Sequence, residues 1–314
     1  MMSILQNQHK VLVTGGTGMV GVALQRVMPS ATYVGSEYDL TNYQRTVELF
    51  EKFKPSYVIH LAAKVSGMKG NMDAIGEHYT DNVLMNTNVL DVSRKFGVKK
   101  LLSTLSTCVY PDDAKYPLVE DSMHMGVPHS TNLGYGFSKR MLDVQARTYK
   151  RQYGCNYINI IPNNLFGEND NFHLINSHVI PSVIRKVFEA KMSGSQLVLW
   201  GDGTPLREFT YSRDLARIIV FCFDHYDSVE PINVGNPGEY SIEHLAKMVC
   251  DILEYDGEIL WNTDVSNGQP RKPSSNEKFA RIGWDNNKYT PFDTALKNTC
   301  EWFLDKYPNV RGVQ

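Results

Sequence analysis

Apolar positions along the first half of the chain alternate between two rhythms. Lys10-Val-Leu-Val-Thr-Gly is a short apolar run ending in glycines, and the residues from Met19 to Met28 then recur with helical spacing. Ala31-Thr-Tyr-Val-Gly predicts a second strand, Tyr43 to Phe53 a helix, and Ser56-Tyr-Val-Ile-His-Leu-Ala-Ala a third, buried strand. A helix from about Thr80 to Phe96 precedes a strand in Lys100-Leu-Leu-Ser-Thr-Leu-Ser. A long helix from Gly134 to Tyr153 precedes another in Cys155-Asn-Tyr-Ile-Asn-Ile-Ile-Pro. Strands and helices alternating at these lengths predict an α/β fold built on a doubly wound parallel sheet.

After Pro162 the alternation weakens. Asn169 to Asn176 is polar and loop-like, His178 to Ala190 reads as a helix, and Leu197-Val-Leu-Trp-Gly-Asp-Gly-Thr-Pro is a strand running into a turn. Leu215 to Asp224 is apolar enough to pack back on the first sheet. Ile232-Asn-Val adds a strand, and Ser241 is placed to cap a further helix. There is no repeat, low-complexity tract or flexible linker. The expected division is a dinucleotide-binding domain of residues 1–164 with 213–237, and a smaller interleaved α/β substrate-binding domain of residues 165–212 and 238–314. A cleft should lie between them.

Composition narrows the function classes. The 314 residues carry 32 Lys and Arg against 34 Asp and Glu, a formal charge of −2, so no bulk electrostatics draw the chain to nucleic acid or an anionic membrane. No run approaches the roughly 18 apolar residues of a spanning helix, and the first ten residues lack an apolar signal core. Cys108, Cys155, Cys222, Cys250 and Cys300 are odd in number and show no CxxC spacing. That argues against a disulfide framework, a structural zinc or any metal site, and for a cytoplasmic, reducing location.

The chemistry begins at Gly15-Gly-Thr-Gly18-Met-Val-Gly21, which follows a strand and opens a helix. Glycines in that setting let the backbone approach a pyrophosphate, and the helix N-terminus supplies amide donors. At the end of the second strand, Ser36, Glu37, Asp39 and Leu40 include no arginine. Glu37 is equally an acceptor for a ribose diol or a solvated loop acid, so the residues leave NAD and NADP open. Tyr135 and Lys139 lie four apart on one helix face, where the ammonium is expected to lower the phenol pKa. Ser106 at a strand end completes a centre for proton transfer in alcohol–ketone chemistry. Cys108, two residues further on, is more than simple hydride transfer needs. The other cysteines fall within or beside apolar patterns and read as packing. Taken alone, His178 is one of nine unremarkable histidines. Lys186, Trp200, Arg207, Arg271 and Lys272 form a candidate clamp for a diphosphate and its attached ring, though each read singly is surface charge.

The glycine spacing, GxxGxxG, is that of the short-chain dehydrogenase/reductase superfamily and its extended sugar-nucleotide branch, which implies a Rossmann sheet. Nearly end to end, the chain resembles the GDP-L-fucose synthases, the GDP-4-keto-6-deoxy-mannose 3,5-epimerase-reductases. The matching segments are Thr14-Gly-Gly-Thr-Gly-Met-Val-Gly, His60-Leu-Ala-Ala, Leu105-Ser-Thr-Cys-Val-Tyr-Pro and Tyr135-Gly-Phe-Ser-Lys-Arg. Asn164-Leu-Phe-Gly-Glu-Asn-Asp-Asn-Phe, Asn176-Ser-His-Val-Ile-Pro, Trp200-Gly-Asp-Gly-Thr-Pro-Leu-Arg-Glu-Phe and Gly268-Gln-Pro-Arg-Lys complete them. The contexts of Cys108 and His178 discriminate, because the glycine loop and the Tyr/Lys pair occur throughout the superfamily.

The resemblance implies that Cys108 is the base and His178 the acid that invert sugar carbons 3 and 5. It further implies that Ser106, Tyr135 and Lys139 form a reductase triad at carbon 4, with NADP(H) as cofactor. The implied cofactor contacts are Gly15, Gly16, Thr17, Gly18, Met19, Val20, Gly21, Ser36, Asp39, Leu40, Ala62, Ala63, Thr104, Leu105, Ser106, Tyr135, Lys139, Pro162, Asn163, Asn164, Leu165 and His178. The implied GDP-sugar contacts are Ser106, Thr107, Cys108, Tyr135, Asn164, His178, Lys186, Trp200, Arg207, Asn267 and Lys272, and a homodimer is expected. Two departures stand out. No basic residue near Ser36 meets a 2′-phosphate, and Asn267 stands where the family commonly has Asp. The rivals are an NAD-bound 4-epimerase or 4,6-dehydratase and a non-catalytic cofactor sensor. A dehydratase is expected to carry Asp-Glu just after the strand-four Ser or Thr, where this chain has Thr107-Cys108. A sensor often loses the Tyr or Lys kept here.

Overall fold

The computed structural model describes residues 3–65, 67, 72–265 and 267–313. Its strands in chain order are β1 (Val11–Thr14), β2 (Thr32–Val34), β3 (Tyr57–His60), β4 (Lys100–Thr104), β5 (Tyr157–Pro162), β6 (Asn164–Phe166), β7 (Leu197–Trp200), β8 (Leu206–Tyr211), β9 (Ile232–Val234), β10 (Glu239–Ser241) and β11 (Ile259–Asn262). Six of them form one sheet in the order β2-β1-β3-β4-β5-β9, with every pairing parallel. Parallel strands need both faces covered, and the strand residues divide accordingly. Val11, Val13, Ile59, Leu102, Ile158 and Ile160 pack on one side with Leu215, Ile218 and Ile219 of the helix Ser212–His225. Leu12, Val58 and Leu101 face the other side, against Leu49, Phe50, Val89, Leu90 and Leu142 of the helices Tyr43–Phe53, Ile75–Lys95 and Leu133–Tyr153.

The second half builds its own core. Phe166, Ile184, Val187, Leu199, Phe209, Leu245, Val249, Phe292, Leu296 and Phe303 cluster around the helices Val179–Ser193, Ile242–Leu253 and Phe292–Lys306. Two small sheets flank this cluster, β10-β8-β6 and the parallel pair β11-β7. Ser241 caps the helix that follows, its Oγ accepting the His244 N–H at 3.0 Å. The helix expected from Thr80 begins earlier, at Ile75, and the one expected from His178 begins at Val179 with His178 as its N-cap. One segment departs from the expected division. Phe279 and Trp284, in the stretch assigned to the second domain, pack in the core of the large sheet with Phe221 and Tyr289. The tail therefore returns to the first domain before its last helix goes back to the second.

Candidate active site

All of the strand ends that matter open on one side of the large sheet, where ligands of open α/β folds bind. The resulting cleft has a volume of about 970 Å³ and is floored by the glycine loop, Thr104 to Ser106 and Pro162 to Leu165. Gly15 has φ +73° and a Cβ there would sit 2.7 Å from the Ala62 amide nitrogen, so only glycine fits the crossing of the first loop over the third strand. Gly18 is the N-cap of the helix Met19–Gln25 and makes no side-chain cap bond, which leaves its first-turn amides facing the cleft. Thr17, Met19, Val20, Gly21, Ser36, Leu40, Ala62 and Ala63 also line it.

Four expected contacts point elsewhere. Gly16 packs against Tyr33 and donates to the Val34 carbonyl at 2.8 Å. Thr107 is buried at 3% exposure, behind the cleft wall. Asp39 turns onto its own loop, accepting from the Thr41 amide at 3.0 Å and hydroxyl at 2.6 Å. Arg271 is bound through its guanidinium to Glu239, with Nε 2.9 Å from each carboxylate oxygen, and leaves the candidate anion clamp. Glu37 is likewise engaged, its Oε1 accepting the Gly35 amide at 2.8 Å. One of its two oxygens is thereby occupied, and Ser36, Tyr38 and Thr41 are the hydroxyl-bearing residues that line the cleft at this strand end.

Ser106, Cys108, Tyr135, Lys139 and His178 all line this cleft, and the electrostatics at Tyr135 differ from expectation. Tyr135 and Lys139 share the cleft face of the helix Leu133–Tyr153 with the Lys139 Nζ 5.8 Å from the Tyr135 ring. The ammonium donates to the Thr104 carbonyl at 2.8 Å. Burial brings Lys139 down to about 8, so it is still mostly charged at neutral pH. The expected lowering of Tyr135 is not what the structure produces. Burial pushes its phenol up, with the Cys108 sulfur adding in the same direction, so Tyr135 is held as a proton donor. A neutral hydrogen-bonded chain lies beneath: Thr14 Oγ1 to His60 Nδ1 at 2.7 Å, His60 Nε2 to Asn86 Oδ1 at 3.0 Å, and Asn86 Nδ2 to the Ser138 carbonyl at 3.3 Å. Burial, followed by the charge of Lys139, drives His60 to about 3, so this link stays uncharged through the working range. It ties β1 and β3 to the helix that carries Tyr135. The sequence shows His60 without that role, since a buried histidine gives no pattern of its own.

Cys108 lies on the single-turn helix Thr107–Val109, half-buried, with its amide 3.3 Å from the Ser106 Oγ. Two features fix that turn against the Tyr135 helix. The buried Arg140 donates to the Val109 carbonyl and the Gly126 carbonyl, both at 2.6 Å. Gly136 admits the Cys108 backbone so closely that a Cβ would sit 2.6 Å from the Cys108 carbonyl oxygen. Gly136→Ala should therefore lower stability by about 1–3 kcal/mol, the usual cost of overpacking. It should also depress turnover more than a neutral surface change does. Paired thermal melts and rates check this, and an unchanged melting temperature would refute the contact.

Lys272 is placed by tertiary structure alone. Leu118 bridges Ser274, its amide 2.8 Å from the Pro273 carbonyl, and the Ser274 hydroxyl binds Glu208 at 2.7 Å. This brings the Lys272 Nζ to 3.9 Å from the Cys108 Sγ. Lys186 stands 4.8 Å over the Trp200 ring, and Arg207 lines the same wall with its guanidinium 2.8 Å from the Leu206 carbonyl. Burial lowers the pKa of both cations below their ordinary values. Asn267 lines the cleft, but its Oδ1 accepts the Asp202 amide at 2.9 Å. The Asn163 side chain, although at the cleft floor, is spent on the Asn236 carbonyl, Glu208 and the Thr210 hydroxyl. Asn164 gives its amide to the Glu208 carbonyl at 2.8 Å. His178 stands at the cleft wall with its side chain 47% exposed. No group of three or more His, Cys, Asp or Glu that could hold a metal ion occurs among the described residues. No helix among them is long and apolar enough to cross a membrane.

Residues 11–235 match the model of the NAD dependent epimerase/dehydratase family. The GDP-L-fucose synthase of Dictyostelium discoideum is 38% identical, over 97% of this chain and 98% of that protein. That of Sinorhizobium fredii is 37% identical, over 96% and 97%. The chain belongs to the GDP-L-fucose synthase group of this epimerase/dehydratase family. A crystal structure of a GDP-L-fucose synthetase from Naegleria fowleri bound to NADP superposes with a TM-score of 0.89 at 39% identity, covering 96% of this chain and 95% of that one.

Proposed function

We propose that this chain is a bifunctional 3,5-epimerase and NADPH-dependent 4-reductase that converts GDP-4-keto-6-deoxy-D-mannose to GDP-L-fucose. The observation that carries the reading is the convergence in one cleft of a reductase centre with Cys108 and His178, which simple reduction does not use. A ketone at carbon 4 acidifies the protons on carbons 3 and 5, and its oxygen must be stabilised both as an enolate and as an alkoxide. One oxygen-binding centre therefore serves both steps.

Each residue has a task in that sequence. Cys108 takes the carbon-bound proton, and Lys272 places a positive charge 3.9 Å from the sulfur that receives it. His178 returns a proton on the other face. Ser106 steadies the carbonyl oxygen, and Tyr135, kept protonated by burial, gives its proton to the oxygen on carbon 4. Lys139 holds the ribose of the cofactor and replenishes Tyr135. Lys186 and Arg207 neutralise the diphosphate, and Trp200 covers the base or sugar. The cleft fits a dinucleotide: the first turn of the helix Met19–Gln25 lines it without a side-chain cap, and Ser36 stands exposed at the end of β2, where a 2′-phosphate would lie. The nicotinamide, when bound, supplies the hydride for carbon 4.

The direct test is incubation with GDP-4-keto-6-deoxy-D-mannose and reduced cofactor, with the product identified by NMR. GDP-L-fucose is expected with NADPH, and the rate with NADH should be about 10- to 100-fold lower, the size of a lost charge-assisted hydrogen bond. Formation of a 4-epimer of the substrate or of a dehydrated sugar instead would overturn the assignment. A homodimer is part of this reading, supported by the exposed Leu84 and Val144 on the adjoining helices Ile75–Lys95 and Leu133–Tyr153. Sedimentation as a monomer would remove it. The five free cysteines suit a reducing cytoplasm; a tagged chain found outside the cytosol would contradict that placement.

A further inference from the structure

Asp170 has 5% of its surface exposed, yet it borders the cleft and its Oδ2 has no hydrogen-bond partner. A buried carboxylate oxygen left unpaired is costly, so its retention calls for a reason. Its other oxygen accepts the Asn171 amide at 2.7 Å and lies 4.0 Å from the His178 Nδ1. Burial raises the pKa of Asp170, and the charged groups that oppose this are His178 first and then Arg311.

The segment is held firmly enough for that distance to matter. Gly167 and Asn169 both take positive φ in the turn that delivers Asp170. The Phe172 amide donates to the Arg311 carbonyl at 2.8 Å, and Arg185 clasps the Phe172 and Gly312 carbonyls at 2.9 and 2.6 Å. His178 sits at the N-cap of the helix Val179–Ser193, which fixes its backbone, and its ring makes no cap bond to that helix.

We infer that Asp170 is the positioning residue for His178: its carboxylate receives the Nδ1–H of the imidazolium, which aims Nε2 at the sugar ring. The step balances without a further reactant. The imidazolium transfers its Nε2 proton to the ring carbon of the enolate and becomes a neutral imidazole, still hydrogen-bonded through Nδ1–H to the Asp170 carboxylate. Asp170 remains ionised throughout, as the partner of a catalytic imidazole does in a triad. This inference rests on the reading of His178 as the epimerisation acid.

The experiment compares Asp170→Asn, His178→Gln and the double variant. Deuterium exchange into the keto-sugar is measured without NADPH, with thermal melts and NADPH binding alongside. Asn keeps the acceptor for the Asn171 amide and the shape of the side chain but removes the charge. Asp170→Asn should slow exchange about 10- to 100-fold through kcat, with KM for the keto-sugar, melting temperature and NADPH binding unchanged. Combined with His178→Gln, it should add nothing further. Exchange at the wild-type rate in Asp170→Asn overturns the inference. So does a loss that persists in full in the His178→Gln background, which would assign Asp170 to Arg311 and the loop. Undiminished exchange in His178→Gln alone would instead defeat the reading of His178 as the acid.

Discussion

Cys108→Ala should lower deuterium exchange at carbons 3 and 5 of the keto-sugar by about 10²- to 10⁴-fold, the range a positioned proton-transfer group supplies. The assay omits NADPH, so reduction cannot mask the result. Loss of the fold does not explain such an effect. The turn that carries Cys108 is held by Arg140 through the Val109 carbonyl and by the close approach of Gly136, neither of which involves the sulfur. The side chain is only partly buried, so its truncation leaves no closed cavity. Melting temperature and NADPH binding should stay at wild-type values. Exchange that continues unchanged in the alanine variant would strip Cys108 of its role as base.

Tyr135→Phe should have the complementary signature. Reduction of carbon 4 should fall by about 10²- to 10⁴-fold while exchange at carbons 3 and 5 is largely retained. The aromatic ring keeps its packing, and the Lys139 ammonium remains on the Thr104 carbonyl, so only the donated proton is removed. Stopped-flow oxidation of NADPH measures the first arm and mass spectrometry of the sugar the second. Equal losses in both would show that the substitution collapses the site rather than deleting a proton donor. The two variants together separate the epimerase half of the cleft from the reductase half.

Much of the fold was legible because it rests on short-range patterns. The alternation of buried strands with helices follows from local hydrophobic period, and the parallel sheet follows from that alternation. The helix from Leu133 to Tyr153 places Tyr135 and Lys139 together by its pitch alone. Ser106 and Cys108 are two residues apart and travel together on any backbone. The return of Phe279 and Trp284 to the first core was not legible, since apolar residues carry no mark of which core they join.

The adjacent cations Arg271 and Lys272 show where sequence stops. Both read as clamp residues, yet one is bound to Glu239 and the other stands by a sulfur 164 positions away. Which of them faces inward depends on the Leu118–Ser274 bridge and on the buried Glu208, contacts that no local period encodes. The electrostatics of Tyr135 are of the same kind. Four-residue spacing gave the lysine as neighbour, but desolvation sums over every atom around the phenol and outweighs that one charge. Asp170 appears in the sequence only as one acid in a polar loop; its carboxylate stands near His178 because the tail from Arg311 to Gly312 fastens that loop. By itself the sequence determined the sheet, the glycine loop and the pairing of Tyr135 with Lys139 on one helix face, because these depend on neighbours within a turn or a strand. Tertiary structure alone decided which charges stand behind those groups, because that depends on packing between segments far apart in the chain.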